Sequence, residues 1–179
     1  MKSILIVISF LILGISSFSQ SIEQVFIDKL NSVRAGYSLP IFNRANSFDS
    51  AANHHANWIV RTSTLSHTQT KALPNTKLLP QLFDRGKEFG ETILSENLIF
   101  AIQYTNGQTI DSLDIGNAIY DIWENSKPHL QNMLINYGST MQHMIGISLS
   151  KFPDSNSCTV VVVFGIRSTS SALLVIGQH

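Results

Sequence analysis

The run Thr159-Val160-Val161-Val162-Val163-Phe164 limits the fold more than any other stretch. β-Branched side chains are stiff at χ1 and pack well on a pleated surface, so the run reads as a strand. No polar residues alternate with the valines, which marks a central strand buried on both faces. Met144-Ile145-Gly146-Ile147-Ser148-Leu149 reads as a second strand, and Pro153-Asp154-Ser155-Asn156-Ser157 as a turn. Ile93 to Ala101 is an apolar strand with a single acid, Glu96, inside it, and Ala172 to Ile176 is a candidate for a further strand.

Helical periods come earlier in the chain. Ser21 and Gln24 have the spacing of a capping box. Ile22, Val25, Phe26, Lys29, Leu30 and Val33 then fall on one face, with Gly36 placed to close the helix. Leu39-Pro40-Ile41 is extended. In a second helix, from Phe48 to Val60, one face carries Phe48, Ala51, Ala52, His55, Ala56 and Ile59, with His54 and Trp58 beside it. The alanines imply a close approach to a neighbouring element, and His55 is expected to be a hydrogen-bonded core residue. Residues 69–92 show weak periodicity. Leu78, Leu79, Leu82 and Phe83 suggest a short helix there, broken by Gly86 and Gly90. Asn106-Gly107 signals a turn. Asp111 or Ser112 can cap a third helix with the stripe Ile115, Ala118, Ile119, Ile122 and Trp123. Helices first and strands mostly late give an α+β domain rather than a βαβ repeat.

The first residues follow a different pattern. Lys2 precedes the apolar run Ile4 to Gly14, and Ser16-Ser17-Phe18-Ser19-Gln20 comes next. A charged start, an apolar segment and small residues at Ser17 and Ser19 are the marks of a cleavable export signal. The run is shorter than the roughly 20 residues a spanning helix needs. The expectation is a signal peptide over residues 1–19 and a single domain over residues 20–179, secreted or periplasmic, monomeric and without a stable membrane anchor. The chain holds 12 basic and 12 acidic residues, and losing Lys2 leaves it just on the acidic side of neutral. Bulk charge therefore offers nothing to nucleic acid or to an anionic membrane. The one cysteine, Cys158, excludes an intramolecular disulfide and reads as a small buried apolar residue.

Three stretches carry candidate chemistry. In Trp123-Glu124-Asn125-Ser126-Lys127-Pro128-His129, Pro128 is expected to end the helix, because it lacks an N–H and disfavours the α region at Lys127. His129 would then sit just past a helix end. Leu65-Ser66-His67-Thr68 supplies a second imidazole, and Ser95-Glu96-Asn97-Leu98 supplies the acid. A carboxylate inside an apolar strand is costly unless it is paired or neutralised, by a metal, by imidazoles or by backbone N–H groups. The bland alternative is that Glu96 points outward at a strand edge. Convergence of His67, Glu96 and His129 on one pocket is the sharper expectation.

These pieces, in this order, resemble the CAP superfamily, the cysteine-rich secretory, antigen 5 and pathogenesis-related-1 proteins, and most of all its disulfide-free bacterial branch. The resemblance rests on Leu30-Asn31-Ser32-Val33-Arg34 with Leu39-Pro40, on Ala51-Ala52 with His55-Ala56, and on Leu65-Ser66-His67-Thr68 and Glu96-Asn97-Leu98. It extends through Trp123 to His129 with Asn132-Met133-Leu134, Ile145-Gly146-Ile147 and Val163-Phe164-Gly165. It implies an α-β-α sandwich with a central, mainly antiparallel sheet and a surface cleft. It also implies that His67, Glu96 and His129 can hold a divalent metal such as zinc, with Ser126 and Asn97 lining the same cleft. Three departures stand out. Ser126 occupies the position of the family's second glutamate, which removes a potential base or ligand, Ser95 stands where a glycine is usual, and several extra residues separate Asn132 from Gly146, on the approach to the cleft.

Three functions compete on this reading. The preferred one is a secreted binding module whose cleft takes a metal, lipid or peptide without chemistry. A metal-assisted hydrolase would use zinc on His67, His129 and Glu96 to lower the pKa of bound water towards ~7, but it lacks an obvious base. A non-catalytic interaction role at the cell surface is the third.

Overall fold

The computed structural model describes residues 20–103, 112–153 and 155–169. Helix α1 spans Ile22–Gly36, strand β1 Phe42–Arg44, helix α2 Asn46–Thr62 and helix α3 Leu82–Glu88. Strand β2 follows over Thr92–Gln103, then helix α4 over Ser112–Glu124, helix α5 over Lys127–Leu134, strand β3 over Met141–Lys151 and strand β4 over Ser157–Ser168. The strands form one sheet in the order β1-β3-β4-β2. The β3–β4 and β4–β2 pairs are antiparallel and β1–β3 is parallel. The valine run is thus an inner strand of a mainly antiparallel sheet.

Alternation along β4 divides the core into two halves. Val160, Val162 and Phe164 join a cluster with Phe26, Leu30, Ile119, Trp123 and Met133 from α1, α4 and α5. Val161 and Val163 face the other way, onto Phe48, Ala52, Ala56, Trp58 and Ile59 of α2. This is the α-β-α sandwich, with helices on both faces of the sheet. Each fully buried large side chain contributes about 1.5–3 kcal/mol by leaving water, and such residues recur in both layers. The alanines of α2 let that helix lie close on the sheet. A Cβ on Gly146 of β3 would stand 2.1 Å from the carbonyl carbon of Phe48.

Local signals hold with a few exceptions. Ser21 caps α1 by accepting from the Gln24 N–H at 3.3 Å. Gly36 does not take a positive φ; Ser38 does, at 56°. Lys29 is exposed, with its ammonium 5.5 Å from the Tyr120 ring centre. Trp58 belongs to the buried face of α2, and Ile122 lies on the exposed side of α4. Gly86 falls inside α3 rather than breaking it, since a Cβ there would meet the Glu91 carbonyl oxygen at 2.7 Å. The largest difference is α5. Pro128 opens a helix instead of ending one, because a first-turn residue has no intrahelical use for the N–H that proline lacks. The Asn106-Gly107 turn, the candidate cap Asp111, the leader over 1–19 and the candidate strand Ala172–Ile176 lie outside the described residues. No helix among the described residues is long and apolar enough to cross a membrane.

Candidate functional site

The site forms around β2, an edge strand of the sheet, where successive side chains leave on opposite faces. Glu96 points to the α2–α3 side and Asn97 to the α5 side, as their partners show. Glu96 is buried, with only 2 % of its side chain exposed, so the outward-pointing alternative does not hold. Its Oε1 meets His67 Nδ1 at 2.9 Å. Arg85 on α3, with its side chain fully buried, donates Nη2 to both carboxylate oxygens at 2.8 Å. Burial raises the Glu96 pKa, but the His67 hydrogen bond, the Arg85 charge and lesser contributions from the His55 and His67 rings outweigh it and hold the carboxyl below its ordinary value. Glu96 is therefore an anion whose partners are already in place.

His67 is held by this bond and by the backbone around it. His55, in the buried face of α2, contacts the Ser66 carbonyl through Nε2 at 2.9 Å, and its Nδ1 meets Gln69 Nε2 at 3.0 Å. These partners make Nε2 the protonated nitrogen and Nδ1 the acceptor. Burial pushes the His55 pKa down to about 4, so its 3.7 Å approach to Glu96 is a polar contact and not an ion pair at neutral pH. His55 is the hydrogen-bonded core histidine its position suggested. Gln69, His54 and Trp58 continue the clamp. Gln69 Oε1 accepts from the Leu79 N–H, while His54 Nε2 and Trp58 Nε1 reach the carbonyls of Lys77 and Lys71. The result is an imidazole with a fixed Nδ1 and an outward-facing ring, 63 % exposed.

His129 lies in the first turn of α5, with Ser126 at the N-cap. Ser126 makes no capping bond to the backbone; its Oγ lies 2.8 Å from His129 Nδ1. Three side chains fix this helix. Arg34, fully buried on α1, donates Nη1 to the carbonyls of Met133 and Ile135 at 2.7 and 3.0 Å, satisfying the end of α5. Asn132 donates to Asn97 Oδ1 at 2.8 Å, and Asn97 donates to the His129 carbonyl at 3.1 Å. His129 is half-buried, and its pKa is lowered by that burial and by the nearby charge of His67.

No protein-family model matches the sequence, and no curated protein matches it. Solved structures do. An outer surface protein from Borrelia burgdorferi aligns with a TM-score of 0.58 and 18 % identity over 82 % of this chain and 93 % of that one. An extracellular protein containing a SCP domain, from Bacillus anthracis, aligns at 0.53 and 19 % identity over 82 % of this chain and 40 % of that one. The chain has the SCP-domain fold. In this SCP fold, Glu96 and Asn97 are the hinge of the site. One reaches through its carboxylate to His67, and the other through its amide to α5 and His129.

The metal set implied by the resemblance meets an obstacle at its acid. It makes Glu96 the third ligand beside His67 and His129, yet the Glu96 oxygens are engaged by Arg85 and His67. Among the described residues, no group of three His, Cys, Asp or Glu side chains is placed to hold an ion. Zinc sites use three or four protein ligands, and the two imidazoles alone do not make such a set. Sequence reasoning missed Arg85. It falls in the weakly periodic segment 69–92, and the only hint was the need of a buried carboxylate for a partner.

Proposed function

We propose that this chain is an extracellular binding protein on the SCP fold, exported through its N-terminal leader, that takes a small ligand between His67 and His129 and does not turn it over. The observation that carries this reading is the state of Glu96. The one acid at the site is committed to Arg85 and His67, so it is free neither as a metal ligand nor as a general base. What remains for a ligand is two imidazoles, each with Nδ1 engaged, and the half-buried hydroxyl of Ser126. The similar solved proteins, one extracellular and one on an outer surface, fit the same setting. Both ligand classes expected, lipid or peptide, would find apolar contacts at the exposed Leu94 and Phe100 on the strand that holds Glu96 and Asn97.

Native mass spectrometry of the protein purified from its own host tests this reading. The expected result is an adduct that a His67→Ala/His129→Ala variant loses while staying folded. A clean apo mass for the wild type would count against it. A hydrolytic reading has one observation in its favour, since a carboxylate-backed imidazole such as Glu96–His67 is a competent proton acceptor. Turnover of ester or peptide substrates that His67→Ala abolishes would establish that alternative.

A further inference from the structure

We propose that Arg85 takes the place of a cation at Glu96, and so makes this site selective against divalent metals. The argument begins with the carboxylate. An ionised carboxylate offers about four lone-pair directions. Arg85 Nη2 takes one on each oxygen, and His67 Nδ1 takes another on Oε1. A metal binding at Oε1, or through both oxygens, would have to displace the guanidinium, and the one direction left, on Oε2, lies beside the Arg85 charge. The guanidinium has nowhere to go, because its side chain is fully buried and its other contacts are longer bonds to the carbonyls of His67 and Leu79, at 3.3 and 3.4 Å. Its Nε has no partner among the described residues, so removing Glu96 from it would leave a buried cation still less satisfied.

Withdrawal by movement of α3 is opposed as well. Gly86, the residue next to Arg85, packs against the segment leading into β2, where a Cβ would come within 2.7 Å of the Glu91 carbonyl oxygen, and its own carbonyl accepts from the Glu91 N–H at 2.8 Å. The helix is thus tied to the start of the strand that carries Glu96. A dication would also meet the fixed positive charge of Arg85, in a site where burial weakens solvent screening. His67 and His129 remain as a pair of imidazoles beside a neutralised carboxylate, suited to a ligand that brings hydrogen-bonding groups.

The inference concerns the same residues as the binding reading but has its own test. Zinc binding is measured by calorimetry and by competition with a chromophoric chelator for the wild type, Arg85→Met, Arg85→Met/Glu96→Gln and Glu96→Gln, with circular dichroism as the folding control. The expected result is that Arg85→Met binds zinc at least ~10-fold more tightly than the wild type. Adding Glu96→Gln should return it to the wild-type value. Folded Arg85→Met with unchanged zinc affinity would overturn the proposal. If Arg85→Met does not fold, Glu96→Gln alone decides. Unchanged zinc affinity relative to the wild type supports the proposal, and a loss of ~10-fold or more shows that Glu96 ligates despite Arg85. A host-derived adduct found on a zinc-indifferent protein would leave both readings standing; a clean apo mass would remove the first and not the second.

Discussion

Replacing Glu96 by leucine should destabilise the domain well beyond any loss of packing. Leucine is of similar bulk and removes both oxygens that accept from Arg85 at 2.8 Å. The guanidinium, with its side chain fully buried, would keep only its longer bonds to the carbonyls of Leu79 and His67. Breaking a buried ion pair from one side costs about 3–5 kcal/mol, a large part of the ~5–15 kcal/mol that holds a typical domain folded. For a domain of this length, that corresponds to a fall in Tm of roughly 6–20 °C. The double variant Arg85→Met/Glu96→Leu should recover most of the loss, because apolar replacement of a whole buried pair is often neutral or stabilising. Urea denaturation at pH 7 of both single variants and the double measures the coupling. Single-variant costs that simply add in the double would refute the reasoning. The pH dependence has a definite sign. The folded Glu96 pKa lies below its ordinary value, so its stabilisation is complete above the unfolded carboxylate pKa of about 4.3 and is lost as pH falls through the folded value. The gap between wild type and Glu96→Leu should therefore narrow in acid.

Two further outcomes follow from the supports of the two imidazoles. Arg34→Met removes the donor to Met133 and Ile135, and should cost about 2–4 kcal/mol in urea denaturation. It should also raise hydrogen exchange in α5 ahead of the rest of the molecule. His55→Gln loses the stacking on Trp58, whose ring centre is 5.8 Å away, and unsettles the contact to Ser66. A loss of about 1–3 kcal/mol is expected, with faster proteolysis of the 66–79 segment and little direct effect on ligand affinity. Unchanged stability with lost binding would instead place His55 at the ligand.

The sheet core was readable because its residues have no competing interpretation. Val160 to Val163 are buried on both faces as their composition required, and the apolar stripes of α1 and α2 match their periods apart from Lys29, which is exposed, and Ile27, Arg34 and Trp58, which are buried outside them. The site was readable in part. His67 and Glu96 are bonded directly, and His129 lies within electrostatic reach of His67. Two things were hidden. Proline is compatible with a first helical turn and incompatible with later ones, so Pro128 alone could not say whether a helix ended or began. Arg85 sits in a seven-residue helix, too short to show a period, and nothing local distinguishes an arginine that will be buried from one on the surface. Its partner is eleven residues away and on a different element.

Glu96 and Asn97 are consecutive residues, so one short length of strand anchors both halves of the site. Their side chains leave opposite surfaces of it, the carboxylate holding the His67 ring and the amide holding the backbone of the turn that carries His129. A slip of β2 by one position would send the carboxylate towards α5 and the amide towards Arg85, undoing both attachments in one step. The register shift between Ile93 and Ser95, just ahead of this pair, guards against that exchange.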